Sequence, residues 1–217
     1  MDTSRETWIT GIGLLSSLGE GIETHMSRLN SGDAPVTETN TCPGFLFHRL
    51  GPVDFDKQIP KKGDQRQMEL WQRIGTYTAG LALTHAGVAG NQELLKRMDM
   101  IVAAAGGERD VKVDASIADE LRKHNNPEAR LNERLLSELR PTLFLAQLSN
   151  LLAGNISIVH GVVGSSRTFM GEEGSGIQAV QTAHARIAAG QSELALGGCA
   201  YNAARSDMLG LWEMAHR

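Results

Sequence analysis

The run Asp99-Met100-Ile101-Val102-Ala103-Ala104-Ala105, closed by Gly106-Gly107, constrains the fold more than any other segment. Beyond Asp99 it is apolar and shows no alternation. A strand with one wet face alternates, whereas a continuous apolar run reads as a strand covered on both faces. Such a strand needs helices above and below the sheet. The sequence supplies them. Residues 20–31 bring Ile22, Met26 and Leu29 to one face; residues 66–87 repeat Met68, Trp71, Ile74, Ala79 and Leu83 at helical spacing, with Gly87 as the stop. Residues 174–189 bring Ile177, Val180, Ala183 and Ile187 together. The charged stretch 114–138 predicts a helix broken at Asn125-Asn126-Pro127, and Pro141 opens a helix over 141–152. The opening TWITGIGLLSSLG predicts a short buried strand running into a turn. Further strands are expected at 155–159, at 165–170 and, buried, at 192–199, with an edge strand near Phe45–Leu50 in the loop-rich 32–64 region. Strands alternating with helices predict an α/β domain with a largely parallel sheet.

Composition narrows the class. The chain has 217 residues and a net charge of −4, which argues against nucleic acid as a partner. At this length a compact chain buries roughly 70% of its unfolded surface and needs no disulfide or metal staple. Two cysteines, Cys42 and Cys199, suit a reducing cytosol. No apolar run reaches the ~18 residues of a membrane helix, and MDTSRETWIT lacks the apolar centre of a signal peptide. The expectation is one cytoplasmic domain over residues 1–217.

Common cofactor and catalytic signatures are missing. A GxGxxG beginning at Gly11 would need glycine where Ser16 stands. There is no P-loop, HExxH or CxxC, and the seven histidines are scattered, so no cofactor or metal is expected. Ser175 fails the GxSxG pattern because Glu173 stands two residues before it. Gly171-Glu172-Glu173-Gly174-Ser175-Gly176 nonetheless occupies a strand-to-helix elbow, where a thiol would be activated by the helix dipole. The simpler reading is that carboxylates in a first helical turn are electrostatically welcome and need no other role.

Three blocks in order resemble the N-terminal half of β-ketoacyl-acyl-carrier-protein synthases, which have the thiolase fold. TGIGLLSSLG at 10–19 is similar to the family's TGxGxxSPLG, with Ser17 for Pro; SNLLAGNISIVHG at 149–161 is similar to PNxxAGxISIxxG; and IAAGQSELALGGCA at 187–200 is similar to IxxGxADxxLAGGA. The resemblance runs from about Trp8 to Trp212. It implies the N-terminal half of a thiolase-like fold, a mixed, largely parallel five-stranded sheet between helices, with the C-terminal half absent. Counting back from Gly190 puts Glu173 where the family carries its acylated Cys; a one-residue slip puts Glu172 there. Neither can hold a thioester. The family's catalytic His pair belongs to the second half and has no counterpart. The nearest resemblance is to half-length, chain-length-factor-like subunits such as those of aryl polyene clusters.

The resemblance implies a partner. A half fold leaves bare the face its twin would cover, and the strand before the elbow pairs across the family's dimer axis. Ser165, Ser166, Arg167, Thr168, Phe169 and Met170 are therefore the expected interface with a full-length β-ketoacyl synthase in a heterodimer. Phe144, Leu148, Phe169 and Met170 are the candidate gate of the partner's acyl tunnel, although Phe144 and Leu148 also fit an ordinary i, i+4 core pair. An acyl carrier protein would be met through the complex. Arg109, Lys112, Arg122 and Lys123 lie in a stretch that reads more simply as a solvated helical face, and they stay unassigned. Two other functions remain open: a malonyl-carrier-protein decarboxylase or initiation factor, and a scaffold that only stabilises a ketosynthase.

Overall fold

The computed structural model describes residues 5–34, 36–39, 44–107, 109–139, 143–171 and 174–215. Its centre is β3 (Asp99–Ala104), with every residue buried as the apolar run requires. The strand pairs in parallel with β4 (Ser166–Met170) on one side and β5 (Ala195–Ala200) on the other; Ile101 stands opposite both Arg167 and Gly197. Met100, Val102 and Ala104 pack into a cluster with Trp71, Leu95 and Leu152, while Ile101 and Ala103 face Ala179 and Ala183. The strand is thus covered on both sides.

The sheet has three strands among the described residues, where five were expected. The opening segment forms no strand before Leu15: Trp8 is 77% exposed and Ile9 is also exposed. Its backbone is drawn onto a helix instead. A Cβ on Gly13 would lie 2.0 Å from the Thr78 carbonyl oxygen, and one on Gly11 2.3 Å from that of Ala82. A two-stranded hairpin follows, β1 (Leu15–Ser16) against β2 (Gly19–Glu20), and leads into α1 (Ile22–Ser31). The only buried residue of α1 is His25; Met26 and Leu29 are exposed, so the expected apolar face stays open. The edge strand near 45–50 reduces to one bridge, Glu38 with Phe47.

The helix expected over 66–87 is two helices, α2 (Lys62–Gln67) and α3 (Leu70–His85). Met68 is extended and buried, and Glu69 closes a capping box with Gln72 that starts α3 afresh. Tyr77 of α3 donates to the Glu20 carboxylate at 2.8 Å, tying the hairpin to the core. Burial, helped by that neighbouring carboxylate, raises the Tyr77 pKa well above its ordinary value. After α4 (Gln92–Arg97) and β3 come α5 (Val111–Leu121) and α6 (Pro127–Glu138), split where expected, with the Asn126 side chain accepting from Ala129 N–H. Glu120 joins the pair by accepting from Arg130 at 2.6 Å and meeting Arg134 at 2.8 Å.

The helix expected over 141–152 is a single turn, α7 (Leu143–Ala146); Pro141 lies outside the described residues. The strand expected at 155–159 is wrong. That segment belongs to α8 (Leu151–His160), which buries Leu152, Ala153 and Ile156 and ends on left-handed Gly161. A short apolar run does not distinguish strand from helix; the i, i+1, i+4 spacing of those three residues decides it. Gly75 lets α8 approach α3, since a Cβ there would lie 2.5 Å from the Leu152 side chain.

On the opposite side of the sheet, α9 (Ser175–Ala188) buries Ser175, Ala179 and Ala183; of the expected apolar face only Ala183 is buried, and Ile177 and Val180 are exposed. Close approach is the reason: a Cβ on Gly197 would sit 3.2 Å from that of Ala183, leaving room only for small residues. Arg186 turns inward to Asp99 at 2.9 Å, and the same carboxylate accepts from Ser165 N–H at 3.1 Å. The last strand, β5, is less buried than expected, with Gly197 and Cys199 exposed. The described chain closes on α10 (Ser206–Ala215).

Two stability tests follow from these contacts. Asp99→Ala strands Arg186 and the Ser165 N–H together and should cost about 3 kcal/mol in denaturant unfolding. His160 N–H donates to the Thr76 carbonyl at 2.8 Å, and burial lowers its pKa below 6.5. The folded state therefore binds this proton less readily than the unfolded chain, and stability is lost as pH falls below the ordinary histidine value. Melting temperature measured from pH 8 to pH 5 should fall less steeply for His160→Gln than for the wild type.

Candidate functional site

In open parallel sheets the crevice for chemistry lies beyond the carboxyl ends of the strands. Here β3 runs out into Gly106 and Gly107, β4 into Gly171, and β5 into Tyr201. Gly171 N–H donates to the Ala104 carbonyl at 3.3 Å, so the strand ends stay together. Glu172 and Glu173, the carboxylates at the expected Cys position, lie outside the described residues. The helix that follows them, α9, presents its N-terminus to this end of the sheet, with Ser175 buried in its first turn.

Arg205 dominates the described part of this end. Its guanidinium donates to the Gly106 carbonyl at 3.2 Å, to the Gly107 carbonyl at 2.8 Å and to the Asp207 carboxylate. Burial pushes the Asp207 carboxyl up, but its bonds to Arg205 outweigh that and hold it below the usual range. The clamp pins the loop after β3. Sequence reading missed it, although the Arg205-Ser206-Asp207 spacing was available as a signal.

The gate candidates do not converge. Strand alternation sends Phe169 and Met170 to opposite faces. Phe169 packs against Ile101, Ala103, Ala179 and Ala183, whereas Met170 is exposed. Phe144 is 66% exposed and Leu148 half-buried. Of the expected interface residues 165–170, Ser166–Met170 form the outer strand: β4 pairs only with β3, so its other edge is unpaired among the described residues. Beside it lies an open cavity of about 490 Å³, lined by Ser166, Thr168, Asn150, Ala153, Ser157 and Met100 with Gly154. Asn150 and Ser157 were missed because their segment was read as ending a helix and forming a strand.

A second cleft, of about 380 Å³, opens at the α2–α3 junction between Lys62, Arg66 and Arg73, with Gln65, Met68 and Glu69. Arg73 lies over the Phe55 ring at 5.5 Å. Its cations were in plain sight as lysine and arginine recurring from 62 to 73. The four basic residues weighed in the charged stretch fare differently: Arg109 pairs with Asp114 at 2.7 Å and Lys123 with Asp119 at 2.7 Å, both in ion pairs at the surface. Among the described residues no group of His, Cys, Asp and Glu could hold a metal ion, and no helix is long and apolar enough to cross a membrane.

Residues 5–216 match the β-ketoacyl synthase N-terminal domain. The chain belongs to this family. It is similar to a 3-oxoacyl-[acyl-carrier-protein] synthase 2 of Vibrio harveyi, 25% identical over 205 residues, which covers 93% of this chain and 46% of the relative. Among solved structures, a β-ketoacyl synthase from Burkholderia phymatum superposes with a TM-score of 0.74 at 18% identity, covering 95% of this chain and 49% of that one. The ishigamide ketosynthase/chain length factor superposes with a TM-score of 0.69 at 19% identity, over 95% of this chain and 50% of that one. These similarities establish the thiolase-like ketosynthase fold, and the chain spans about half the length of the relatives it matches.

The β-ketoacyl synthase domain keeps a thiol near the elbow, although not on it. Cys199 is exposed as a residue, but its sulfur lies against α9, where a Cβ on Gly176 would come within 2.5 Å of it. That burial of the sulfur raises the thiol pKa above its ordinary value. In a Cys42→Ser variant, Cys199 should be alkylated by iodoacetamide more slowly than free cysteine at pH 8, with the rate still climbing above pH 9. Alkylation as fast as free cysteine at neutral pH would show an activated thiol instead.

Proposed function

We propose that the chain is a non-catalytic, chain-length-factor-like subunit that pairs through β4 with a full-length β-ketoacyl synthase and shapes its acyl tunnel, in fatty acid or polyketide biosynthesis of the aryl polyene type. The observation that carries this reading is the outer edge of β4, unpaired among the described residues, with a roomy groove beside it. A strand edge of this kind is a template for a strand of another chain. The alignment supports the non-catalytic part: Glu173, or Glu172, takes the nucleophile's position, and a carboxylate forms no thioester there. Phe144 and Met170, both exposed, are the gate residues free to line a tunnel shared with a partner; Phe169 serves the α9 core first. An acyl carrier protein docks on the complex. The chain acts as one unit over its whole length, in the cytoplasm.

Co-expression with a tagged full-length ketosynthase from the same gene neighbourhood tests the pairing. A one-to-one complex is expected; a chain that purifies alone would overturn the heterodimer. In the complex, Phe144→Ala and Met170→Ala should lengthen the acyl products, and unchanged lengths would leave only a scaffold. Acetyl product formed from malonyl-carrier protein by the isolated chain would establish the decarboxylase reading instead.

A further inference from the structure

His25 is the one buried residue of the ten in α1, while the apolar Met26 and Leu29 stay exposed. A histidine buried on a helix that leaves its apolar residues in water is held there by what its ring bonds, not by core packing. Both ring nitrogens are committed. Nδ1 lies 2.7 Å from the Gly21 carbonyl oxygen, and Nε2 lies 2.8 Å from Ser16 Oγ. A carbonyl can only accept, so in the neutral ring the proton sits on Nδ1 and donates to Gly21. Nε2 then carries the lone pair, and the Ser16 hydroxyl donates to it. Ser16 Oγ accepts in turn from the Leu18 N–H at 3.0 Å. The group is held from several sides. Gly21 N–H donates to the Leu14 carbonyl at 2.9 Å, β1 and β2 pair Ser16 with Gly19, and Glu20 is tied to Tyr77. A Cβ on Gly19 would lie 2.8 Å from the Thr24 side chain, so the hairpin sits directly on α1.

We propose that Ser16 is an acyl-accepting nucleophile with His25 as its general base, a site separate from the elbow that cleaves short-chain acyl thioesters. Nucleophile, base and a third group that orients the base stand in the order such chemistry needs. On attack, the bond from Ser16 Oγ to the acyl carbon forms and the carbon–sulfur bond breaks. The hydroxyl proton passes to His25 Nε2 and from there to the departing sulfur. Water then attacks the seryl ester; His25 takes its proton and returns it to Ser16 Oγ as the carboxylic acid leaves. The sum is thioester plus water to acid plus thiol. The Leu18 N–H, 3.0 Å from the nucleophile, is placed to donate to the carbonyl oxygen as it becomes charged. The orienting group sets the substrate class. A backbone carbonyl fixes the ring tautomer but, unlike a carboxylate, carries no full charge to stabilise the imidazolium. A base supported in this way serves only acyl groups with a good leaving group, which a thiol is and an alcohol or amine is not. Ser16 is half-buried on a surface hairpin, which suits a short acyl chain. Condensation at the elbow requires a thiol there; thioester cleavage at Ser16 does not, so the site is independent of the pairing through β4.

Treating the full chain with diisopropyl fluorophosphate and locating the adduct by fragmentation mass spectrometry tests the nucleophile. Ser17, the exposed neighbour, is the internal control. Ser16 is expected to be labelled roughly 10²-fold faster than Ser17. His25→Gln, whose amide can still bond both Ser16 and the Gly21 carbonyl, should slow that labelling by a similar factor with circular dichroism unchanged. With S-acetyl-N-acetylcysteamine, a small thioester, the wild type should release thiol, and Ser16→Ala and His25→Gln should fall to the uncatalysed rate. Ser16 labelled no faster than Ser17 in the wild type would overturn the proposal, whether or not either variant folds. So would labelling that survives His25→Gln, or thiol release that survives Ser16→Ala. Labelling without thiol release would overturn the substrate class. The pairing of β4 with a ketosynthase stands or falls separately, on whether that partner co-purifies.

Discussion

The structure depends on the burial of β3. Six residues with no wet face can be satisfied only by a parallel neighbour on each edge and a helix layer on each side. The two layers are built differently. On one side α3 and α8 interdigitate large side chains, Trp71, Leu83, Leu152 and Ile156. On the other, α9 rests on methyl-sized contacts at Ala179 and Ala183. Asp99 fixes the start of the arrangement by holding α9 through Arg186 and the approach to β4 through Ser165, so one carboxylate orients two elements about the central strand.

The inequality of the layers separates scaffold from interface. Large side chains that face inward are consumed by the core; others, such as Phe144, Met170, Ile177 and Val180, are left outward. Alternation along β4 also divides the gate candidates, committing Phe169 to one side of the sheet and Met170 to the other.

Much of the fold was legible in the sequence wherever a pattern had one physical solution. The 99–105 run, closed by Gly106-Gly107, read as a doubly covered strand and forms one over Asp99–Ala104, and the break read at Asn125-Asn126-Pro127 separates α5 from α6. Where two solutions share a pattern, reading failed. Residues 155–159 are apolar enough for a strand, and the helix they form shows only when the pattern is extended back to Leu152 and Ala153 and the distant Gly75 makes room for Leu152. In α9 the bulky residues looked like the buried face, but Gly197 brings the sheet so close that alanines are selected there instead. The opening segment has strand composition but lies against α3, because Gly11 and Gly13 allow backbone contact that no local rule foresees. The site was legible in its outline, a strand-to-helix elbow, and only half legible in Arg205: its pairing with Asp207 is local, but the Gly106 and Gly107 carbonyls it holds lie about a hundred residues earlier.

The register of β3 also has a consequence in time. Its partners are Ser166 onward and Ala195 onward, so the second edge is satisfied only after almost a hundred further residues. At ordinary rates of synthesis, ~5–20 residues per second, a nascent chain carries this second edge open for roughly 5–20 s. An apolar, β-prone run left open for that interval is the point at which the growing chain is most exposed to misassociation.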